Sequence, residues 1–159
     1  MHPNEALARR LYDAFARRDG AAMAACYSPD ARFGDPVFPD LRGEAIGAMW
    51  TMLTSQGKDL RVEYEVVRAD DAGAVVRWQA WYTFSATKRA VHNIIEATLA
   101  MRDGAIVTHD DAFDLGRWAR MALGPVGWLF PILPPLRAKL RKRAADNLAR
   151  FRASAASRG

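Results

Sequence analysis

Between residues 60 and 115 the chain takes up a hydrophobic period of two, four times over. "LRVEYEVVRAD" alternates Leu60, Val62, Tyr64 and Val66 with Arg61, Glu63 and Glu65, and "AVVRWQAWYTFS", "AVHNIIEATLAM" and "AIVTHDDAFDL" follow it. Alternation of this kind buries one face of a strand and wets the other. The connections "DDAG", "ATKR" and "RDG" are too short for a parallel crossover, so consecutive strands must run antiparallel. The result is a four-stranded meander with one apolar face that some other element has to cover.

The covering elements precede it. "NEALARRLYDAFARR" sets Leu7, Leu11 and Phe15 at four-residue steps, a helix with Asn4 as its N-cap. Asp19-Gly20 ends that helix and offers Asp19 as the next cap, for a short Ala-rich helix carrying Met23 and Cys26. A brief strand is expected at 31–33. "GEAIGAMWTMLTSQG" then returns to helical spacing, with Ile46, Met49, Trp50 and Leu53 on one side. The expected class is α+β: three N-terminal helices on a strongly curved antiparallel sheet, a cone with a pocket open at one end.

One domain of 159 residues can bury a sufficient core without staples. None are offered: Cys26 is the only cysteine, and no Cys/His spacing resembles a metal site. The N-terminus is charged and amphipathic, without a signal-peptide core, which makes the cytoplasm the expected compartment. The net charge of +5 is unevenly placed. Residues 1–135 hold 15 Lys/Arg against 17 Asp/Glu, whereas residues 136–159 hold 8 against Asp146 alone. The basicity belongs to a tail, and the chain divides into a body, 1–123, and an extension, 124–159.

In "DARFGDPVFPDLRG" an ionisable group, Asp35, is flanked by Phe33, Val37 and Phe38. An Asp-Pro pair often does no more than cap a neighbouring backbone N–H. Apolar neighbours would also desolvate the carboxylate and raise its pKa toward the range useful for a base.

The order of elements, with "DARFGDPVFPDLRGEAI" and "MRDGAIVTHDDAFDL", resembles the nuclear transport factor 2-like superfamily over residues 4–123. Within it, the chain is similar to the SnoaL-like polyketide cyclases and ketosteroid isomerase-like proteins, and more distantly to limonene epoxide hydrolases. The resemblance to ketosteroid isomerases implies that Asp35-Pro36 carries the proton-shuttling base. Their oxyanion-hole tyrosine falls at Leu11, one step from Tyr12, and a single step turns a helical side chain by about 100°. Their second donor falls at Ala97, beside Glu96. Of the Asp-Arg-Asp set of the epoxide hydrolases only Asp111 is matched, the other two falling near Trp78 and Ala80. One acid from each relative is present and neither set is complete.

Alternation places Val107, His109, Asp111 and Phe113 on one strand face. His109 and Asp111 are either a buried pair that satisfies itself or a second acid/base beside Asp35. A metal at "HDD" is disfavoured, because adjacent strand residues diverge. Trp78, Tyr82 and Phe84 share a face and suit a core or an apolar pocket, as do Phe33, Phe38 and Trp50. Tyr82, Asn93 and Tyr12 are candidate donors to a ligand oxygen. Trp81 lies on the opposite sheet face, which relatives use for dimers, so a homodimer is expected. No cofactor is implied, since no phosphate-cradling glycine loop occurs.

"PVGWLFPILPPLRAKLRKRAADNLARFRAS" is too short and too interrupted by proline to span a bilayer. From Leu136 on, Leu140, Ala144, Leu148 and Phe151 form a stripe and Arg137, Lys139, Arg141, Lys142 and Arg143 crowd the other faces. The segment can fold back, with Trp128 and Phe130 closing the pocket, or lie on a membrane surface through 128–152. Nucleic acid is disfavoured, because aromatics are not interleaved with the charge. The expected function is isomerisation or cyclisation of a small apolar carbonyl-type substrate, with Asp35 as general base and His109 and Asp111 assisting. The alternative is a non-catalytic hydrophobe binder docked on membranes through its tail.

Overall fold

The computed structural model describes all 159 residues. Helices α1 (Pro3–Ala16) and α2 (Gly20–Ala24) lead into β1 (Tyr27–Gly34) and a two-residue β2 (Leu41–Arg42), and α3 (Glu44–Gln56) follows. The meander is β3 (Arg61–Asp70), β4 (Gly73–Phe84), β5 (Arg89–Arg102) and β6 (Ala105–Ala112). The body closes with α4 (Leu115–Leu123), and the extension forms a 3-10 turn over Gly124–Leu129 and α5 (Pro134–Ser157).

The sheet is six-stranded and strongly curved, in the order β2-β1-β6-β5-β4-β3. The meander is antiparallel throughout, as its short turns require. The sheet as a whole is mixed, because β1 lies parallel to β6, with Phe33 beside His109 and Gly34 beside Asp110. The first strand is also longer than 31–33. Its early part is masked in the sequence by "SPD", and the register shifts between Tyr27 and Arg32.

Two further expectations need correction. His2, not Asn4, caps α1 by accepting from the Asn4 backbone N–H, and the Asn4 amide instead donates to the Asp70 carbonyl at 2.8 Å. On β6, Ile106 rather than Val107 is buried. The β5–β6 register shifts between Ala100 and Met101, which leaves Val107 unpaired and turns the alternation over by one step.

Leu7, Leu11 and Phe15 of α1 and Ile46, Met49 and Trp50 of α3 pack on the concave face of the sheet. The base of the cone is filled by rings. Phe15 lies 5.0 Å from Trp50 and 5.2 Å from Trp78, and Phe33 lies 5.5 Å from Trp50. Such pairs add about 0.5–1.5 kcal/mol each beyond the area they bury.

The stripe expected on α5 is spent on the domain. Leu148 is buried, and Ala144 and Phe151 pack against the main core. Phe130 joins Val91, Trp118, Ala119 and Ala122 in a second cluster at the rim, flanked by Leu136 and Leu140. Gly127 permits this contact, since a Cβ there would stand 2.2 Å from the Ala119 carbonyl oxygen. Trp128 does not help to close the pocket. It points outward, with the Arg120 guanidinium 4.8 Å above its ring.

Candidate functional site

The parallel pairing of β1 with β6 sets the geometry. Phe33 and His109 are neighbours, both fully buried, with ring centroids 4.9 Å apart. Two residues further along each strand, the same face carries Asp35 and Asp111. A cleft of about 360 Å³ opens there, lined by Arg32, Asp35, Pro36, Asp110, Asp111 and Phe113 among others. Arg32 pairs with Asp110 at 3.1 Å and with Asp40 at 3.4 Å on its rim.

Asp35 caps the loop and is desolvated by it. Its Oδ1 accepts from the backbone N–H groups of Val37 (2.7 Å) and Phe38 (2.6 Å). Its Oδ2 has no protein hydrogen bond. Burial pushes the pKa from its ordinary 3.8 up to about 6. The Phe38 N–H opposes that shift, and the nearby charge of Asp111 reinforces it.

Behind the cleft runs a chain of five side chains. Trp50 Nε1 donates to the Tyr27 hydroxyl at 2.9 Å, and that hydroxyl lies 2.7 Å from His109 Nδ1. His109 Nε2 is 2.9 Å from Asp111 Oδ1, which also accepts from Trp78 Nε1 at 3.3 Å. Trp50 can only donate to Tyr27 and the Asp111 carboxylate can only accept, so with a neutral imidazole His109 Nε2–H donates to Asp111 and Tyr27 donates to His109 Nδ1. Both nitrogens of His109 are engaged, so it reaches the cleft only through Asp111. Both bonds to Asp111 end on Oδ1, which leaves Oδ2 to the cleft.

Tyr27 was not legible in the sequence. It stands before "SPD", and only the parallel strand pairing carries it to His109. Removing its hydroxyl in Tyr27→Phe leaves His109 Nδ1 and Trp50 Nε1 without a partner in a buried setting. The expected loss of stability is about 1–3 kcal/mol in urea unfolding, and a loss below a few tenths would mean that water replaces the hydroxyl.

Tyr82 on β4 is half-buried, and its hydroxyl accepts from Trp118 Nε1 of α4 at 2.7 Å. Its own O–H proton has no protein acceptor. Burial raises its pKa, and the charge of Asp35 is among those that it feels. Asn93 faces the same side of the sheet, opposite Ala80 on the neighbouring strand and diagonal to Tyr82. It is 6% exposed, and its amide makes no protein hydrogen bond.

Phe33, Trp50 and Trp78 lie in the core beneath the cleft rather than on its lining, and Phe38 is buried against Asp35. Tyr12 is fully buried, stacked on Tyr64 at 5.3 Å. Its hydroxyl is the one buried side-chain polar atom with no partner. Burial holds its pKa well above the ordinary value, and Asp111 and Tyr27 add to the effect. Trp118, which the sequence did not single out, lies between Tyr82, to which it donates, and Phe130 of the extension. No group of three or more His, Cys, Asp and Glu side chains converges in a way that could hold a metal ion. On the outer face Trp81 is covered by His92, stacked at 4.5 Å, and by the Arg61 guanidinium at 3.9 Å.

The family model described as a SnoaL-like domain matches residues 8–109. No curated protein matches the sequence. Among solved structures, an NTF2-like protein of unknown function from Burkholderia pseudomallei superposes with a TM-score of 0.65 at 22% identity, covering 76% of this chain and 98% of that one. A putative polyketide cyclase from Silicibacter gives 0.62 at 19% identity, covering 75% and 94%. An LEH-like epoxide hydrolase from M. tuberculosis gives 0.61 at 19% identity, covering 81% and 96%. At these identities the likeness concerns the fold.

Proposed function

The chain belongs to the SnoaL-like domain family, and from that premise we propose that it moves a proton on a small, largely apolar carbonyl-type substrate, as an isomerase or cyclase. The observation that carries this reading is the state of Asp35. Its carboxylate is desolvated to a pKa of about 6, held by two backbone N–H groups on one oxygen, and open on the other. A base of that strength is ionised at neutral pH and still takes up a proton readily.

In the proposed reaction Asp35 Oδ2 removes a proton α to the carbonyl and returns it elsewhere on the substrate. Tyr82, with its free hydroxyl proton, and Asn93 are the donors proposed for the oxygen as charge develops on it. Both stand outside the lining of the Asp35 cleft, so the substrate must extend beyond it to meet them. Asp111, fixed in place by His109, Tyr27 and Trp78, keeps a second carboxylate beside Asp35 and so raises its proton affinity. His109 is thus a positioning residue.

The test is deuterium incorporation. A panel of small cyclic and unsaturated ketones incubated with the protein in heavy water should gain deuterium at the α-carbon, read by mass spectrometry. The rate should climb as pH rises through about 6, where Asp35 ionises, and level off above it. A rate indifferent to pH between 5 and 7 would remove Asp35 from the mechanism. Ketones that bind and never exchange would identify a non-catalytic binder instead.

A further inference from the structure

Nine large hydrophobic residues are exposed in the whole chain, and five of them fall within eight positions: Val126, Trp128, Leu129, Ile132 and Leu133. Trp128 and Ile132 are 69% and 70% exposed. Scattered exposed apolar residues need no explanation, but a run of them with an indole at its centre does. Proline at 125, 131, 134 and 135 and the packed Phe130 hold the run in place as an apolar knuckle. It cannot flatten onto the core, because Phe130 and Gly127 already fill the contact with α4.

The charge around it is predominantly positive, with Asp114, the N-cap of α4, the acid beside Gly116 and Pro131. Residues 115–145 contain seven Lys/Arg and no Asp/Glu. Arg120 lies over the Trp128 ring, while Arg137, Lys139 and Arg143 stand exposed on the first turns of α5 with no acidic partner. An apolar tip ringed by cations matches a bilayer surface that carries anionic lipids: rings and aliphatic side chains enter the acyl boundary and guanidinium groups stay at the phosphates. A protein partner or a second copy would have to present a concentrated acidic patch, whereas on the outer sheet face Glu96 pairs with Arg77 and Glu63 with Arg61, which leaves Glu65 free.

The geometry points to residues 126–133, with the basic start of α5, as a peripheral docking site for anionic lipid membranes. The insertion surface is the knuckle and not the apolar stripe of α5, which is turned onto the core. No helix is long and apolar enough to cross a membrane, so the contact is superficial and reversible. The knuckle is also joined to the cleft. Phe130 packs with Trp118, the donor to Tyr82, and Arg141 Nε donates to the Pro36 carbonyl, next to Asp35, at 2.9 Å. Docking therefore sets the mouth at the lipid surface, from which an apolar substrate would enter. That last clause rests on the function proposed above, whereas the docking itself does not.

Co-sedimentation of the full chain with phosphatidylcholine vesicles, with and without phosphatidylglycerol, tests the site. The wild type should pellet with the anionic vesicles, less so at high salt, and far less with phosphatidylcholine alone. The double variant Trp128→Ser/Ile132→Ser should lose at least about tenfold in partitioning, and so should Arg137→Glu/Lys139→Glu. All four side chains are exposed, so folding is not at stake. Asp35→Asn should pellet like the wild type, which separates docking from chemistry. Equal pelleting of wild type and the Trp128/Ile132 variant overturns the proposal. So does a wild-type dimer in sedimentation that the same variant dissociates, since a second copy would then cover the knuckle.

Discussion

Asp35→Asn should lower the rate of proton exchange by about 10²- to 10⁴-fold, the usual contribution of a positioned base, while leaving ligand affinity nearly unchanged. The same substitution should make the protein more stable at neutral pH. An asparagine keeps the acceptor for the Val37 and Phe38 N–H groups and removes the charge that burial disfavours. The sign follows from linkage. The folded state holds its proton up to about pH 6, whereas the unfolded chain releases it near the ordinary 3.8. Between those values the folded state binds more protons, so wild-type stability falls as pH rises through that window. The shift corresponds to a burden on the order of 3 kcal/mol above pH 6, of which Asn should recover about 1–3 kcal/mol. Urea unfolding of both proteins at several pH values measures this, and the gap should close below about pH 4. An Asn variant that is slower and also less stable at pH 7 would mean that the carboxylate is needed for the loop itself. One that is more stable and equally fast would leave Asp35 as a turn residue only.

Trp50→Ala should cost about 3–5 kcal/mol, the largest single loss of stability expected for this chain. Trp50 is buried among Phe15, Phe33, Trp78 and His109, with ring separations of 5.0, 5.5, 6.5 and 6.0 Å. Rigid rings border much of the space that truncation would open, so the cavity can collapse only in part. Trp50→Phe keeps most of that volume and loses the donor to Tyr27, for which about 1 kcal/mol is expected. Thermal unfolding should show Trp50→Ala lower by roughly 10 °C, given about 2–4 °C per kcal/mol for a domain of this size. A drop no larger than that of Trp50→Phe would mean that ring packing contributes little here.

The two predictions bear on different levels of the fold, and the sequence informed them unequally. Phe33, Phe38, Trp50 and Trp78 were visible as apolar residues in periodic segments, but the sequence did not say whether they would line a space or fill one. The structure fills the base of the cone with them and leaves the cleft to Asp35, Asp111 and their neighbours. His109 and Asp111 do share a buried face and bond to each other, with Oδ1 of Asp111 taken and Oδ2 not. The tail was expected to carry an apolar stripe opposite its basic residues. That stripe went to the core, and its exposed apolar surface came from the proline-rich stretch before it.

The sequence alone determined whatever depends on near neighbours: the meander, through period-two patterning and short turns; the three N-terminal helices; the apolar flanks that raise the proton affinity of Asp35; and the strong net positive charge of the extension. Tertiary structure alone decided that β1 runs parallel to β6, that Tyr27 meets His109 and Trp118 meets Tyr82, and that Tyr12 turns inward without a partner. The physical reason is that these depend on contacts between residues tens of positions apart. The free energy of such contacts lies in packing and hydrogen bonding across the fold, and local alternation carries no record of which distant strand will supply the partner.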